Sequence, residues 1–190
     1  AVSILKDGEL VIYPTETVYG LGCDPFNPEA VRKVFTVKRR GAKPLPLIAD
    51  SIESIIRVAE MPPLGTKLAK ASWPGPLTLI LPLKDERLLH VTAGLRKVGV
   101  RVSSLRLARK LAARLDGLIV ATSANLSEMA NPLNVDDAIR QVGVGVKLAL
   151  DGGPARSIKP STVVDLSGIK PKIVRIGAIR PEELSKFLRL

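Results

Sequence analysis

Apolar and polar residues alternate along this chain with two periods, and these periods predict both strands and helices. Short apolar runs bounded by proline, glycine or polar residues are typical of buried strands. Such runs occur at residues 10–13, 45–49, 77–83, 98–102, 118–121, 146–150, 162–166 and 172–176. Pro46 lies inside the second run, and because proline cannot donate to a ladder we expect that strand at a sheet edge.

Capping sequences mark the helix starts. Asn27-Pro28-Glu29 places a capping side chain, a proline and an acid in the order that a helix N-terminus favours. Ser51 and Asn134 each precede apolar residues at helical spacing, and we expect helices after both. Further helices are predicted over residues 1–8, 66–72, 181–188 and, capped by Ser103 or Ser104, 103–115.

Predicted strands and helices alternate, but several neighbouring strands have no helix between them. That order indicates an α/β fold with a mixed sheet rather than an all-parallel one. We expect residues 1–190 to form a single domain, since a chain of this length with 46% hydrophobic residues can build one substantial core. Aromatic residues make up 3% of the chain, so that core must be largely aliphatic.

Charge and residue counts narrow the possible function classes. A net charge of +11 and a pI near 10.1 favour a polyanionic ligand such as a nucleotide or nucleic acid, and a basic surface without a ligand is the alternative. The single cysteine, Cys23, and the single histidine, His90, exclude an internal disulfide and a His-rich zinc site. No apolar run approaches the roughly 20 residues of a membrane span and no signal peptide is recognisable, so we expect a cytoplasmic protein with no membrane partner.

Two clusters of polar residues follow apolar runs. The segment from Thr15 to Thr17 follows the first run and precedes Gly20 and Gly22, and the segment 122–125 follows the fifth run. Polar residues at strand ends are where open α/β sheets bind ligands. A polar turn without a ligand is the alternative explanation for the first cluster.

Several cations lie at or beside predicted strand ends. Arg101 interrupts an apolar run, so we expect it to have an anionic partner, either a protein carboxylate or a ligand. Lys38, Arg40 and Arg175 are candidates for binding phosphate. The chain has no Walker-type loop and no dinucleotide fingerprint, which argues against phosphate or dinucleotide binding by those motifs. It has no paired carboxylates, which argues against hydrolysis by a two-acid mechanism. We expect Cys23 to be a small buried thiol.

Seven short segments together resemble the YrdC-like family. They occur in the family's order along the chain, at residues 13–22, 38–40, 73–78, 100–102, 122–127, 160–165 and 175–177. Each segment by itself is weakly specific, but seven in order over nearly the whole chain are strongly specific. The resemblance implies a twisted open mixed sheet flanked by helices around a positively charged cavity.

The YrdC-like family includes threonylcarbamoyl-AMP synthases, which are nucleotidyltransferases of tRNA modification. By resemblance, the chain joins L-threonine, bicarbonate and ATP into threonylcarbamoyl-AMP and releases pyrophosphate, with Mg²⁺ delivered by ATP. Downstream tRNA threonylcarbamoyltransferase proteins then form N6-threonylcarbamoyladenosine at tRNA position 37. This chemistry needs no protein nucleophile, because positioning and charge neutralisation suffice.

The resemblance also implies roles for individual residues. Those expected to contact threonine are Thr15, Thr17, Arg101, Ala121, Thr122 and Ser161. Those expected to contact ATP are Lys38, Arg40, Ser123, Asn125 and Arg175. Lys38 and Arg40 would be catalytic by holding the triphosphate, Arg101 would bind the threonine carboxylate, and no protein metal site is expected.

Three positions depart from the family pattern, and a second function stays open. Many members have histidine in the strand that holds Ile48, proline where Ser103 stands and glycine where Glu128 stands. The alternative function is a YrdC-like nucleotide- and RNA-binding protein, for tRNA or double-stranded RNA, without synthase activity. A stripe of basic residues without acidic neighbours favours that alternative: Arg106, Arg109, Lys110 and Arg114.

Overall fold

The computed structural model describes residues 1–39, 41, 43–157 and 159–188, and its strands form two sheets. In chain order the strands are β1 (Val11–Tyr13), β2 (Gly20–Gly22), β3 (Leu47–Ala49), β4 (Leu77–Pro82), β5 (Lys97–Val102), β6 (Leu118–Val120), β7 (Thr122–Ser123), β8 (Leu148–Ala149), β9 (Thr162–Asp165) and β10 (Lys172–Arg175). The helices are α1 (Val2–Lys6), α2 (Pro28–Val37), α3 (Ile52–Val58), α4 (Pro63–Ser72), α5 (Arg106–Ala113), α6 (Val135–Val142) and α7 (Pro181–Ser185). A short 3₁₀ turn, Glu86–Leu88, lies between β4 and β5.

Both sheets are mixed, which confirms the predicted α/β architecture. In the larger sheet the order is β10-β9-β4-β5-β3-β6, with parallel pairs β9–β4 and β5–β3 and antiparallel pairs elsewhere. The smaller sheet has the order β7-β2-β1-β8, and its β1–β8 pair is parallel. The sequence predicted one mixed sheet. Two form because the chain leaves β6 at Ala121, whose N–H donates to the carbonyl of Pro46 over 2.9 Å, and enters β7 of the smaller sheet.

Three predicted helix caps are confirmed. Asn27 Oδ1 accepts from the backbone N–H groups of Glu29 and Ala30 at 3.0 and 3.1 Å, and α2 begins at the next residue. The side chains of Ser51 and Asn134 each accept from the N–H three residues ahead, at 3.2 and 2.8 Å, and precede α3 and α6. These contacts join neighbours in sequence, so the local pattern located them correctly.

Two helix starts and one strand position differ from the predictions. Helix α5 begins at Arg106, because the hydroxyl of Ser103 accepts a backbone N–H two residues ahead, outside the helix. Helix α4 begins earlier than predicted, at Pro63, since a proline ring suits the first helical position. The edge prediction for β3 was wrong: the strand lies between β5 and β6 because it starts at Leu47, one residue after Pro46, so no ladder bond needs a proline N–H.

The core is aliphatic, as the low aromatic content predicted. Helix α5 packs on β3 and β6, and the hydroxyl of the fully buried Tyr13 donates to the carbonyl of Val120 at 3.0 Å. Cys23 is also fully buried, which confirms the predicted buried thiol, and burial raises the pKa of that thiol. None of the helices in the described part of the chain is long and apolar enough to cross a bilayer.

Glu128 occupies a turn after β7 with a φ of 71°, a left-handed conformation that costs a residue with a Cβ about 1–2 kcal/mol. Replacing Glu128 by glycine should raise the free energy of unfolding by roughly 0.5–1 kcal/mol, once the greater chain entropy of glycine is counted. Denaturant unfolding measures the change. Glu128→Ala keeps the Cβ and is the control, so equal stabilisation by alanine and glycine would contradict the backbone explanation.

Candidate functional site

A cavity of ≈ 400 Å³ lies over one face of the larger sheet. Successive strand residues point to opposite faces, so Lys97, Gly99 and Arg101 of β5 face the cavity, while Val98 and Val100 are buried in the core. By the same alternation, the neighbouring strands contribute Thr78, Ile80 and Val163. The period of the strands therefore decides which side chains form the cavity floor.

Loops and strand ends form the walls of the cavity. They come from the loop after β1, the segment before β3, the β6–β7 junction, the loop before α6, the segment before β9 and the end of β10. The residues are Thr17, Val18, Pro44, Leu45, Pro46, Ala121, Thr122, Ser123, Asn131, Pro160, Ser161 and Arg175. The structure thus brings together seven of the predicted ligand residues: Thr17, Arg101, Ala121, Thr122, Ser123, Ser161 and Arg175.

A buried ion pair at the cavity edge joins Arg101 to Glu16. Arg101 Nη1 donates to Glu16 Oε1, and the hydroxyl of Ser103 donates to Glu16 Oε2. Both charged side chains are 8% exposed, so the pair is shielded from water. The anionic partner that the sequence required for Arg101 is therefore a protein carboxylate. A guanidinium carries five N–H donors, which leaves others for a ligand in the cavity.

A chain of hydrogen bonds connects three further cavity residues. The Arg175 guanidinium donates to the carbonyl and hydroxyl oxygens of Ser161, both at 3.1 Å. Ser161 Oγ and Thr78 Oγ1 share a hydrogen bond of 2.8 Å. Burial, and then the charge of Arg101, lower the pKa of Arg175, yet a guanidinium stays protonated at neutral pH. The two arginines therefore give this part of the cavity a positive potential that favours anions.

The two threonines of the loop after β1 have different positions. Thr15 Oγ1 donates to the carbonyl of Val18 at 2.7 Å and accepts from the N–H of Thr17 at 3.2 Å, so Thr15 stabilises the loop itself. Thr17 lines the cavity, and its hydroxyl shares a hydrogen bond of 3.0 Å with the hydroxyl of Thr15. Thr15 therefore reaches the site through Thr17.

Lys38 is buried against the turn that follows β7. Its ammonium donates to the backbone carbonyls of Ser123 and Asn125, both at 2.5 Å, and to Asn125 Oδ1 at 3.3 Å. Ser123 Oγ donates to the same Asn125 Oδ1 at 2.6 Å. Lys38 and Asn125 thus support Ser123 from outside the cavity lining. Arg40, the other predicted catalytic residue, lies outside the described residues.

The sequence analysis missed three polar side chains of the cavity: Thr78, Lys97 and Asn131. Lys97 could have been predicted from the sequence, because it lies four residues before Arg101 and therefore on the same face of a strand. Its ammonium pairs with Asp165 Oδ2 at 2.9 Å. Burial acts to raise the pKa of Asp165, but hydrogen bonds from Ser167 and Lys97 outweigh it and hold that pKa below its usual range.

The polar groups of the cavity are mostly hydrogen-bond donors. They comprise guanidinium, ammonium and hydroxyl groups and the side-chain amide of Asn131, which can bind carboxylate and phosphate oxygens. Within residues 1–39, 41, 43–157 and 159–188, no group of three or more His, Cys, Asp or Glu side chains could hold a metal ion. The donors that line the cavity suit it to an anionic organic ligand.

Comparison with known proteins agrees with the fold. The sequence profile of the Sua5/YciO/YrdC family, which carries the description "Telomere recombination", matches residues 3–177. The chain belongs to this family, and the resemblance carried by the seven segments is confirmed.

Individual relatives are similar over almost the whole of this chain. It is 36% identical to the threonylcarbamoyl-AMP synthase of Pyrococcus abyssi and 37% identical to that of Bacillus subtilis, over 99% of this chain in both cases and 56% and 55% of the relatives. The structure of P. abyssi Sua5 complexed with L-threonine matches with a TM-score of 0.93 and 36% identity over 98% of this chain and 55% of that one. The chain therefore spans about half the length of these relatives.

Glu16→Ala would leave the Arg101 charge buried without its carboxylate, so we expect the free energy of unfolding to fall by about 3–5 kcal/mol. Denaturant unfolding measures the loss. The matched control is Glu86→Ala, which breaks the exposed Arg96–Glu86 pair and should cost less than about 1 kcal/mol. Similar losses of unfolding free energy in the two variants would contradict the expectation that the buried ion pair contributes more to stability than the exposed one.

Proposed function

We propose that this protein is a threonylcarbamoyl-AMP synthase, a nucleotidyltransferase that joins L-threonine, bicarbonate and ATP and releases pyrophosphate. The observation that carries this proposal is the convergence of seven predicted substrate residues on one cavity. Membership of the Sua5/YciO/YrdC family and similarity to two synthases support it. We further propose that residues 1–190 form one YrdC-like domain that works in the cytoplasm.

Threonine binds through its carboxylate and hydroxyl in this proposal. Arg101, held by Glu16, offers its remaining N–H groups to the carboxylate. Thr17 and Ser161 place hydroxyl groups on the walls of the same cavity. The β6–β7 junction, residues 121–122, adds backbone to that wall. A small ligand with one carboxylate, one amine and one hydroxyl matches these groups.

The proposed reaction has two bond-forming steps. The unprotonated amine of threonine attacks carbon dioxide derived from bicarbonate, which forms a carbamate and releases a proton. A carbamate oxygen then attacks the α-phosphorus of ATP, the bond to the bridging oxygen breaks, and pyrophosphate leaves. The substrate is ATP with its bound Mg²⁺. During the second step, negative charge moves from the carbamate oxygen to the leaving pyrophosphate. Arg101 and Arg175 supply positive potential in the cavity, and fixed charges of this kind stabilise a transition state.

ATP binds beside the β6–β7 junction in this proposal. Ser123 and Arg175 line the cavity, and hydrogen bonds connect Asn125 and Lys38 to Ser123. We propose that Lys38 supports phosphate binding by fixing the 123–125 turn, because its ammonium binds two backbone carbonyls there. Arg40 stays a proposed ligand of the triphosphate.

The product is proposed to serve tRNA modification. Threonylcarbamoyl-AMP is a mixed anhydride, so a second protein must transfer its threonylcarbamoyl group to adenosine. We therefore propose tRNA threonylcarbamoyltransferase proteins as downstream partners, which form N6-threonylcarbamoyladenosine.

Pyrophosphate release in the presence of ATP, Mg²⁺ and bicarbonate should depend on added L-threonine. Thr17→Val should raise the KM for threonine about tenfold and the KM for ATP much less, because the lost hydroxyl faces the threonine site. Thr66→Val, on the exposed side of α4, is the matched control and should behave as wild type. Threonine-independent release would refute the synthase, and equal changes in both KM values would refute the role of Thr17.

Helix α5 favours RNA binding as a second candidate function. The cations Arg106 and Lys110 of this helix, and Arg114 directly after it, are exposed, and within the described part of the chain none of the three forms an ion pair. Arg109 differs, since it donates to the carbonyl of Ser103 at 2.5 Å. A stripe of this kind on a chain of net charge +11 suits the phosphate backbone of tRNA or double-stranded RNA. Such a surface is compatible with a separate nucleotide cavity.

The double variant Arg106→Ala/Lys110→Ala should weaken tRNA binding. A plot of the logarithm of the association constant against the logarithm of salt concentration should become less steep by roughly two, because two phosphate contacts are lost. Lys67→Ala/Lys70→Ala removes two exposed charges from α4 and is the control. Filter binding over a salt series measures both slopes. Equal slopes in the two double variants would contradict a site on α5, and absent tRNA binding by the wild-type protein would refute this second function.

A further inference from the structure

Ser103 directly follows β5, outside the cavity lining, and it is completely buried. Its hydroxyl donates to Glu16 Oε2 and accepts from the backbone N–H of Leu105 at 3.2 Å. Its carbonyl accepts from Arg109 Nη1, on helix α5, at 2.5 Å. These contacts anchor Ser103 to the start of α5 and to the helix itself, so its hydroxyl reaches Glu16 from a fixed position.

The Glu16 carboxylate is bound through both of its oxygens. Arg101 Nη1 donates to Oε1, and the hydroxyl of Ser103 donates to Oε2. The last torsion of a glutamate side chain has broad minima, so a single hydrogen bond at Oε1 would leave the plane of the carboxylate free to turn. The second hydrogen bond, at Oε2, fixes that plane.

The orientation of this carboxylate matters because Glu16 holds an arginine of the cavity. Arg101 lines the cavity and donates an Nη1–H group to Glu16. A guanidinium is planar, and it binds a ligand carboxylate through two parallel hydrogen bonds only when the two planes are aligned. If the Glu16 carboxylate turned, the Arg101 guanidinium would turn with it and lose this alignment.

We propose that Ser103 is a positioning residue of the threonine site, which acts through Glu16 on the plane of the Arg101 guanidinium. The inference rests on the proposed function, in which Arg101 binds the carboxylate of threonine. Ser103 touches neither substrate in this proposal. Loss of its hydroxyl should therefore weaken threonine binding by misaligning a group that stays charged and stays in the cavity.

A purely structural role is the alternative, since the hydroxyl of Ser103 also accepts the N–H of Leu105. The two roles differ in their effect on ATP. Arg175, a proposed ATP residue, takes its position from hydrogen bonds to Ser161 rather than to Glu16. A positioning role thus affects threonine selectively, whereas a structural role lowers stability and affects both substrates or neither.

The experiment compares the two substrates in variants that remove or keep the hydroxyl. Isothermal titration calorimetry measures the binding of L-threonine and of ATP with Mg²⁺ to Ser103→Ala, Ser103→Thr and Ser54→Ala. Ser54 is the matched control, because it is a buried serine of α3 whose hydroxyl also donates to a carboxylate, that of Asp50, at 2.6 Å. In Ser103→Ala we expect the threonine dissociation constant to rise about five- to tenfold and the ATP constant to change less than about twofold. Ser103→Thr and Ser54→Ala should bind both ligands as wild type does.

Four results would overturn the proposal: equal weakening of both ligands in Ser103→Ala, unchanged threonine binding by that variant in its folded state, the same loss in a folded Ser103→Thr protein, or no threonine binding by the wild-type protein. Melting followed by circular dichroism checks folding. If either variant is unfolded, Ser103→Cys decides, because its thiol has a similar size and is a weaker donor. Selective weakening of threonine binding by cysteine supports the proposal, and equal or absent weakening overturns it.

Pyrophosphate release tests the synthase separately. Absent threonine-dependent release, together with selective loss of threonine binding in Ser103→Ala, would refute the proposed synthase and support the role of Ser103. Threonine-dependent release by the wild-type protein, together with unchanged threonine binding in Ser103→Ala, would support the synthase and refute the role of Ser103.

Discussion

The buried ion pair between Arg101 and Glu16 connects the two sheets of this structure. Glu16 belongs to the loop between β1 and β2 of the smaller sheet, and Arg101 belongs to β5 of the larger one. A buried charge is tolerated when it is paired and hydrogen-bonded, so the loop cannot leave the larger sheet without isolating one of the two charges. Ser103 donates to the same carboxylate. The pair therefore holds the wall that carries Thr17 against the floor of the cavity.

Basic side chains among the described residues differ in their surroundings, and three of these kinds of surroundings explain why net charge alone does not locate a site. Lys38 is buried and binds backbone carbonyls. Arg101 and Arg175 each bind a protein group and also line the cavity. The cations of α5, such as Arg106, face solvent. A ligand cavity requires the second kind, because a cation must be held in place and still present donors.

Local chemistry explains which elements could be predicted from the sequence. The caps at Asn27, Ser51 and Asn134 depend on contacts across two or three residues, and each long apolar run contains a strand. Strands β2 and β7 were not predicted, because three residues of Gly-Leu-Gly and two polar residues carry no periodic signal. These two strands pair with each other and complete the smaller sheet with β1 and β8.

The sequence by itself determined the fold class, the helix caps, the apolar core and the family, because these follow from residue type and from spacing along the chain. The tertiary structure decided that Glu16 pairs with Arg101, 85 residues away, and that Lys38 binds Asn125, 87 residues away. It also decided that Gly99 lies between Pro46 and Ile80 on a cavity floor. Strand order and packing determine such partners, and the spacing of residues along the sequence does not reveal them. Whether a charged side chain pairs within the protein or binds a ligand is therefore determined by the tertiary structure.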